Sequence, residues 1–207
     1  MNRTASIRLT GLNLNYLKEN LSFIVLMIIT TVSILVGVLT TNTKAVNPVV
    51  NEIFTQYVSS RANATFLIAF SSSILSSFKI LLFSFLCGTS VLGLIISPLI
   101  LAISSFWYGA VAGYIYSVYG LSGIVFNLFV LILPTLILLF SLIVSVRECV
   151  GFSKLMACMC IKETRPINLY INFKIFCLRH VVLLIPIVTS SLLDVALFNV
   201  FENYFTF

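Results

Sequence analysis

Asp194 is the acid that lies deepest in an apolar run of this chain. A carboxylate at membrane depth is costly to hold there, so such a group is by default a candidate functional site. Ser190 and Ser191 lie about one helical turn before it and are placed to hydrogen-bond it. No basic residue is an obvious partner at that depth, although Lys79 opens another apolar run on the same side. A carboxylate hydrated near the interface, with only a packing role, is the alternative reading.

Two prolines interrupt apolar runs. Pro134 and Pro186 each remove an amide donor and free the carbonyl four residues earlier, at Val130 and Val182. Such breaks act as hinges or line cavities, or are simply tolerated kinks. Other chemistry is sparse. His180, beside Arg179, reads as an interface residue rather than a ligand. Cys158-Met159-Cys160 has no second thiol pair and no nearby histidine, so the expectation is no metal site. The apolar runs hold no nucleophile, base and orienting group in combination, and the chain has no phosphate-binding glycine-lysine loop. The sequence predicts a protein that is not an enzyme and carries no cofactor.

These groups must be positioned in lipid. Of 207 residues, 60% are hydrophobic and only 9% charged, against about 25% charged in a soluble chain. Mean hydropathy is +1.14. A bilayer core about 30 Å thick needs about 20 apolar residues per helix. The expectation is an all-α integral membrane protein of about five transmembrane helices, forming a single domain with short amphipathic interfacial helices.

Residues 1–20, with Arg3, Arg8 and Lys18 between apolar positions at helical spacing, read as a cytoplasmic amphipathic arm; a disordered basic tail is the alternative reading. The first span covers 21–40. Residues 41–77 form outer interfacial helices, one after Pro48 and one over 66–75. Further spans cover 78–96, 98–118, 121–146 and 175–199, with a cytoplasmic loop at 147–174 and an outer tail at 200–207. Basic residues cluster in the arm and in the 147–174 loop, which holds Arg147, Lys154, Lys162, Arg165 and Lys174. By the positive-inside rule the N-terminus and this loop are cytoplasmic, and the C-terminus is outside. The net charge of +6 flanks the spans rather than forming one soluble face, so nucleic acid is not expected as a partner. The cysteines are odd in number (five) and lie mostly towards the cytoplasmic side, against a disulfide framework.

Two patterns bear on partners. Ser105, Gly109, Gly113 and Ser117 are spaced by four and share one helix face. Small residues let helix backbones approach closely in lipid; packing within the chain and a dimer interface are both open. In the cytoplasmic loop, Leu155, Met156 and Met159 alternate with Arg147, Glu148 and Lys154. That stretch reads as an amphipathic helix that lies on anionic lipid or docks a soluble protein.

The region from Lys79 to Asn199 resembles the stage II sporulation protein M family of membrane proteins. The resemblance rests on Gly88 and Gly93, on Phe106-Trp107-Tyr108-Gly109 through Gly113, and on Tyr119-Gly120-Leu121-Ser122-Gly123. It continues through Leu133-Pro134 and the run Thr189-Ser190-Ser191-Leu192-Leu193-Asp194. It implies a non-catalytic scaffold of a bacterial cell-membrane or envelope complex, in one branch anchoring peptidoglycan-degrading proteins during sporulation. In another branch it implies a subunit of a circular-bacteriocin maturation, immunity or export system beside an ATP-binding cassette ATPase. The partners expected are the bilayer, other membrane or envelope proteins, such an ATPase in the second case, and a second copy if the chain oligomerises.

Overall fold

The computed structural model describes residues 3–41, 46–62, 64–161 and 169–201, with side chains described from residue 20 onward. Among these residues there are helices and no strand. In chain order they are α1 (Arg3–Thr40), α2 (Asn47–Ala62), α3 (Phe66–Gly88), α4 (Gly93–Phe126), a π-helical segment (Asn127–Leu131), α5 (Ile132–Ile161), α6 (Leu169–Val182) and α7 (Leu184–Phe201).

Four stretches are long and apolar enough to cross a membrane: Asn20–Thr40, Phe66–Gly88, Gly93–Cys160 and Leu169–Phe201. The third is 68 residues, about 100 Å if straight, several times the apolar thickness of a bilayer. It is not straight. Gly120 has φ 55° and ψ −130°, a conformation open to glycine and strained for other residues. Beyond it Gly123 packs onto Ile115 so closely that a Cβ would strike the Ile115 carbonyl. In an unbroken helix those positions are about 12 Å apart, so the chain folds back at Gly120.

The tightest helix pair is α1 with α4. A Cβ at Gly109 would collide with the Ile34 carbonyl, one at Gly113 with the Thr41 side chain, and one at Gly37 with the Phe106 carbonyl. The small-residue face therefore packs within the chain, with Gly37 as its counterpart on α1. Thr41 donates across this contact to the Ala110 carbonyl at 3.2 Å. Ser105 is buried and bonds its own helix at Leu101, whereas Ser117 is exposed and bonds Tyr114. The ridge thus extends only to Gly113.

The breaks follow from proline chemistry. The ring of Pro134 crowds the Val130 carbonyl, and Pro134 offers that carbonyl no amide. The preceding residues 127–131 take the wider π turn. Pro186 likewise leaves Val182 without its donor, and the helix is interrupted at Leu183, between α6 and α7.

Several boundaries differ from those read in the sequence. α3 runs unbroken from Phe66 to Gly88 where the sequence predicts an outer segment ending at Leu75 and a span over 78–96. No proline or glycine interrupts residues 66–87, so the helix has no reason to stop. The helix of 121–146 does not end there; α5 continues to Ile161. The last span begins at Leu169 and is broken at Leu183. The side chains of the N-terminal arm, residues 162–168 and the tail from 202 lie outside the described residues.

Candidate functional site

α2 places Tyr57 and Arg61 one turn apart, on the face turned to the bundle. Its apolar face explains the docking: Val50 and Phe54 are buried against Ala110, Tyr114, Ile115, Phe126, Val130 and Phe198. With α2 fixed in this way, Arg61 and Tyr57 meet Asp194 on α7. The carboxylate accepts from three donors. Arg61 Nη2 pairs with Oδ2, the Tyr57 hydroxyl donates to Oδ1 at 2.7 Å, and Ser73 of α3 donates to Oδ2 at 2.9 Å. Both charged side chains are only 11% exposed, so each needs the other: an unpaired charge at this burial would be strongly destabilising.

The guanidinium is held from more than one side. Nη1 donates to the Tyr57 carbonyl at 3.1 Å and to Ser60 Oγ at 3.2 Å. Its Cζ sits 3.7 Å from the Tyr57 ring centroid, a cation–π geometry. Arg61 Nε is buried and has no hydrogen-bond partner. For Tyr57, burial first and the neighbouring Asp194 carboxylate second push the phenol well above the usual tyrosine range, so the hydroxyl remains a donor.

Arg61 and Asp194 line a cavity of about 630 Å³ between α1, α2, α3, α4, α5 and α7. Pro134 and Ser190 line it as well. Ser190 donates to the Pro134 carbonyl at 2.7 Å and does not bond Asp194. Ser191 is buried with no partner for its hydroxyl, and Pro186 is not among the lining residues. The sequence-based pairing of Asp194 with Ser190 and Ser191 is therefore corrected. The carboxylate turns instead to α2 and α3, because a guanidinium is a stronger partner than a serine hydroxyl already engaged with the Pro134 carbonyl. Lys79 is exposed on α3 and makes no ion pair with Asp194; Arg61 does.

A second polar cluster lies towards the other end of α3, roughly 16 Å along the helix from Ser73 to Ser84. His180 is buried there, with 5% exposure. The Phe176 carbonyl, 3.0 Å from Nδ1, can only accept, so Nδ1 carries the proton. Nε2 then accepts from Ser145 at 3.1 Å, with Cys149 Sγ at 3.6 Å. Cys149 also lies 3.3 Å from the Ser84 carbonyl. Phe85 and Phe176 pack on the imidazole, with centroids at 5.1 and 4.4 Å. A thiol beside an imidazole has the form of a nucleophile and base, but here it ties α3, α5 and α6 together in an apolar setting. Among the described residues no three His, Cys, Asp or Glu side chains gather as metal ligands.

The residues expected to dock a cytoplasmic partner do not form one free face. Met156 packs against the cluster of Cys149, Phe152 and Phe176. Glu148 pairs with Arg179 of α6. Arg147 and Lys154 are exposed, while Leu155 and Met159 are half-buried. The stretch belongs to α5 rather than to a separate surface helix.

Two of these features escape a reading of the sequence. The Tyr57–Arg61 spacing marks one helical face, but nothing local connects it with Asp194. The serines of α3 (Ser72, Ser73, Ser76 and Ser77) form a polar stripe in an apolar helix, a signal that could have located the cavity wall. No family model, curated protein or solved structure matches the chain.

Proposed function

We propose that this chain is a non-catalytic scaffold or assembly subunit of a bacterial cell-membrane complex, crossing the bilayer five times with its N-terminus inside and its C-terminus outside. The reversal at Gly120 divides the longest apolar stretch into two crossings, and the basic residues of the arm and of 147–174 favour the inner side. On this reading α2 lies at the outer surface, and its anchoring by Asp194 carries the functional proposal. One face of α2 is locked to α7 by Arg61 and Tyr57. The other face leaves Glu52, Thr55 and Ser59 exposed. A polar helix held rigidly over a membrane bundle is suited to seating another envelope protein, because little ordering remains to be done on binding. The likeness to the stage II sporulation protein M family supports the same kind of partner.

A photo-crosslinking amino acid in place of Thr55, expressed in the native host, tests this. Cross-links to envelope proteins are the expected result. If cross-links form instead from position 154, to a cytoplasmic ATPase, a second reading takes over: a membrane subunit of a peptide maturation, immunity or export system. The cavity beside Pro134 and the π-helical segment favours that alternative, since a broken helix lining a cavity is where a membrane protein admits a substrate.

A further inference from the structure

We propose that the cavity holds a neutral lipid: an apolar chain with an uncharged end bearing carbonyl or hydroxyl oxygens, as in a diacylglycerol. This goes beyond the scaffold role and rests only on the membrane reading.

The charge of the lining comes first. Among the described residues Arg61 and Asp194 are its only charged ones, and they neutralise each other. A charged guest would find no spare counter-charge and would have to compete with a buried ion pair whose disruption is costly. The unused polar groups come second. Ser72, Ser77, Tyr108 and Thr135 line the cavity with no side-chain hydrogen bond among the described residues. Each of these hydroxyls can donate, so a guest with acceptor oxygens finds partners there. Third, apolar side chains, among them Ile34, Val38 and Leu139, make up most of the remaining wall. At about 630 Å³ the volume falls within the range of small-molecule sites. Five of the six helices that line it are membrane-crossing on this reading, so bilayer lipid is the guest at hand.

The test uses the full chain in phosphatidylcholine nanodiscs carrying a trace of photoactivatable diacylglycerol, or of phosphatidic acid with the same acyl chains. Adducts are mapped by mass spectrometry. The expected result is labelling at Tyr108 and Leu139, with diacylglycerol favoured by about tenfold, a modest difference in affinity. Ala112→Phe, which fills the cavity, should reduce labelling there to the level of the exposed Leu82 and Leu133. Thr135→Val, which removes one polar group at nearly constant volume, should reduce the preference for diacylglycerol even if Ala112→Phe fails to fold. Equal labelling by the two probes, labelling confined to Leu82 and Leu133, or a folded Ala112→Phe that labels like the native chain would overturn the proposal. A chain that does not enter nanodiscs would defeat the membrane reading and this proposal together; entry without cavity labelling would defeat this proposal alone.

Discussion

Arg61 and Asp194, 133 residues apart in the chain, form a buried ion pair that joins a short polar helix to the last helix of the bundle. Removing one partner strands a charge. Arg61→Met and Asp194→Asn are each expected to destabilise the protein by about 3–5 kcal/mol. In the double variant Arg61→Met/Asp194→Asn the loss should fall well short of the sum of the single losses. Denaturant unfolding in detergent micelles measures the cycle, and additive losses would show that the pair is not coupled.

The approach of α1 to α4 depends on glycines at their contact. Gly109→Leu and Gly37→Leu force backbone apart from backbone and should abolish recovery of folded protein, since close packing is what holds helices together in lipid. Gly151 is the control. A Cβ there meets nothing within 4 Å, so Gly151→Ala should be neutral or stabilising by about 0.5–1 kcal/mol, the helix preference of alanine over glycine. Melting temperatures in the same detergent compare the three, and a fully folded Gly109→Leu would contradict the packing described.

Gly120→Ala probes the reversal. No atom crowds the position, so any cost is purely conformational. A non-glycine residue at φ 55° and ψ −130° should cost about 1–3 kcal/mol. An unchanged melting temperature would mean that the backbone at Gly120 does not need glycine.

The cysteines report burial directly. Cys158 and Cys160 are exposed, Cys87 and Cys177 are half-buried, and Cys149 is fully buried among Ser84, Ser145 and His180. In detergent-solubilised protein a maleimide should modify Cys158 and Cys160 first and reach Cys149 only on unfolding. Early modification of Cys149, followed by peptide mass, would contradict the packing of α3, α5 and α6.

Much of the architecture was legible because lipid imposes a strong and local rule. Apolar length located the candidate spans, and Gly109, Gly113, Pro134 and Asp194 stood out as exceptions within them. What the sequence did not reveal was pairing at long range. Asp194 gave no sign of Arg61, since an ion pair across 133 residues leaves no periodicity. Gly37 is unremarkable until α4 is laid against it. His180 beside Arg179 reads as interfacial because its burial depends on Phe85 of α3 and on Ser145 and Cys149 of α5, two other parts of the chain. The extension of α5 to Ile161 was missed for a different reason. The charges there suggest a cytoplasmic loop with a separate surface helix, whereas Arg147 and Lys154 are accommodated on the exposed side of one continuing helix.

The central claim is a membrane bundle that presents α2 outside and the end of α5 inside, and cysteine accessibility in intact cells tests it most directly. In the native chain a membrane-impermeant maleimide should leave Cys158 and Cys160 unmodified until the cells are permeabilised. In a Cys158→Ser/Cys160→Ser background, Thr55→Cys should react without permeabilisation. The reverse pattern, with Cys158 and Cys160 open to the outside and position 55 protected, would contradict the account.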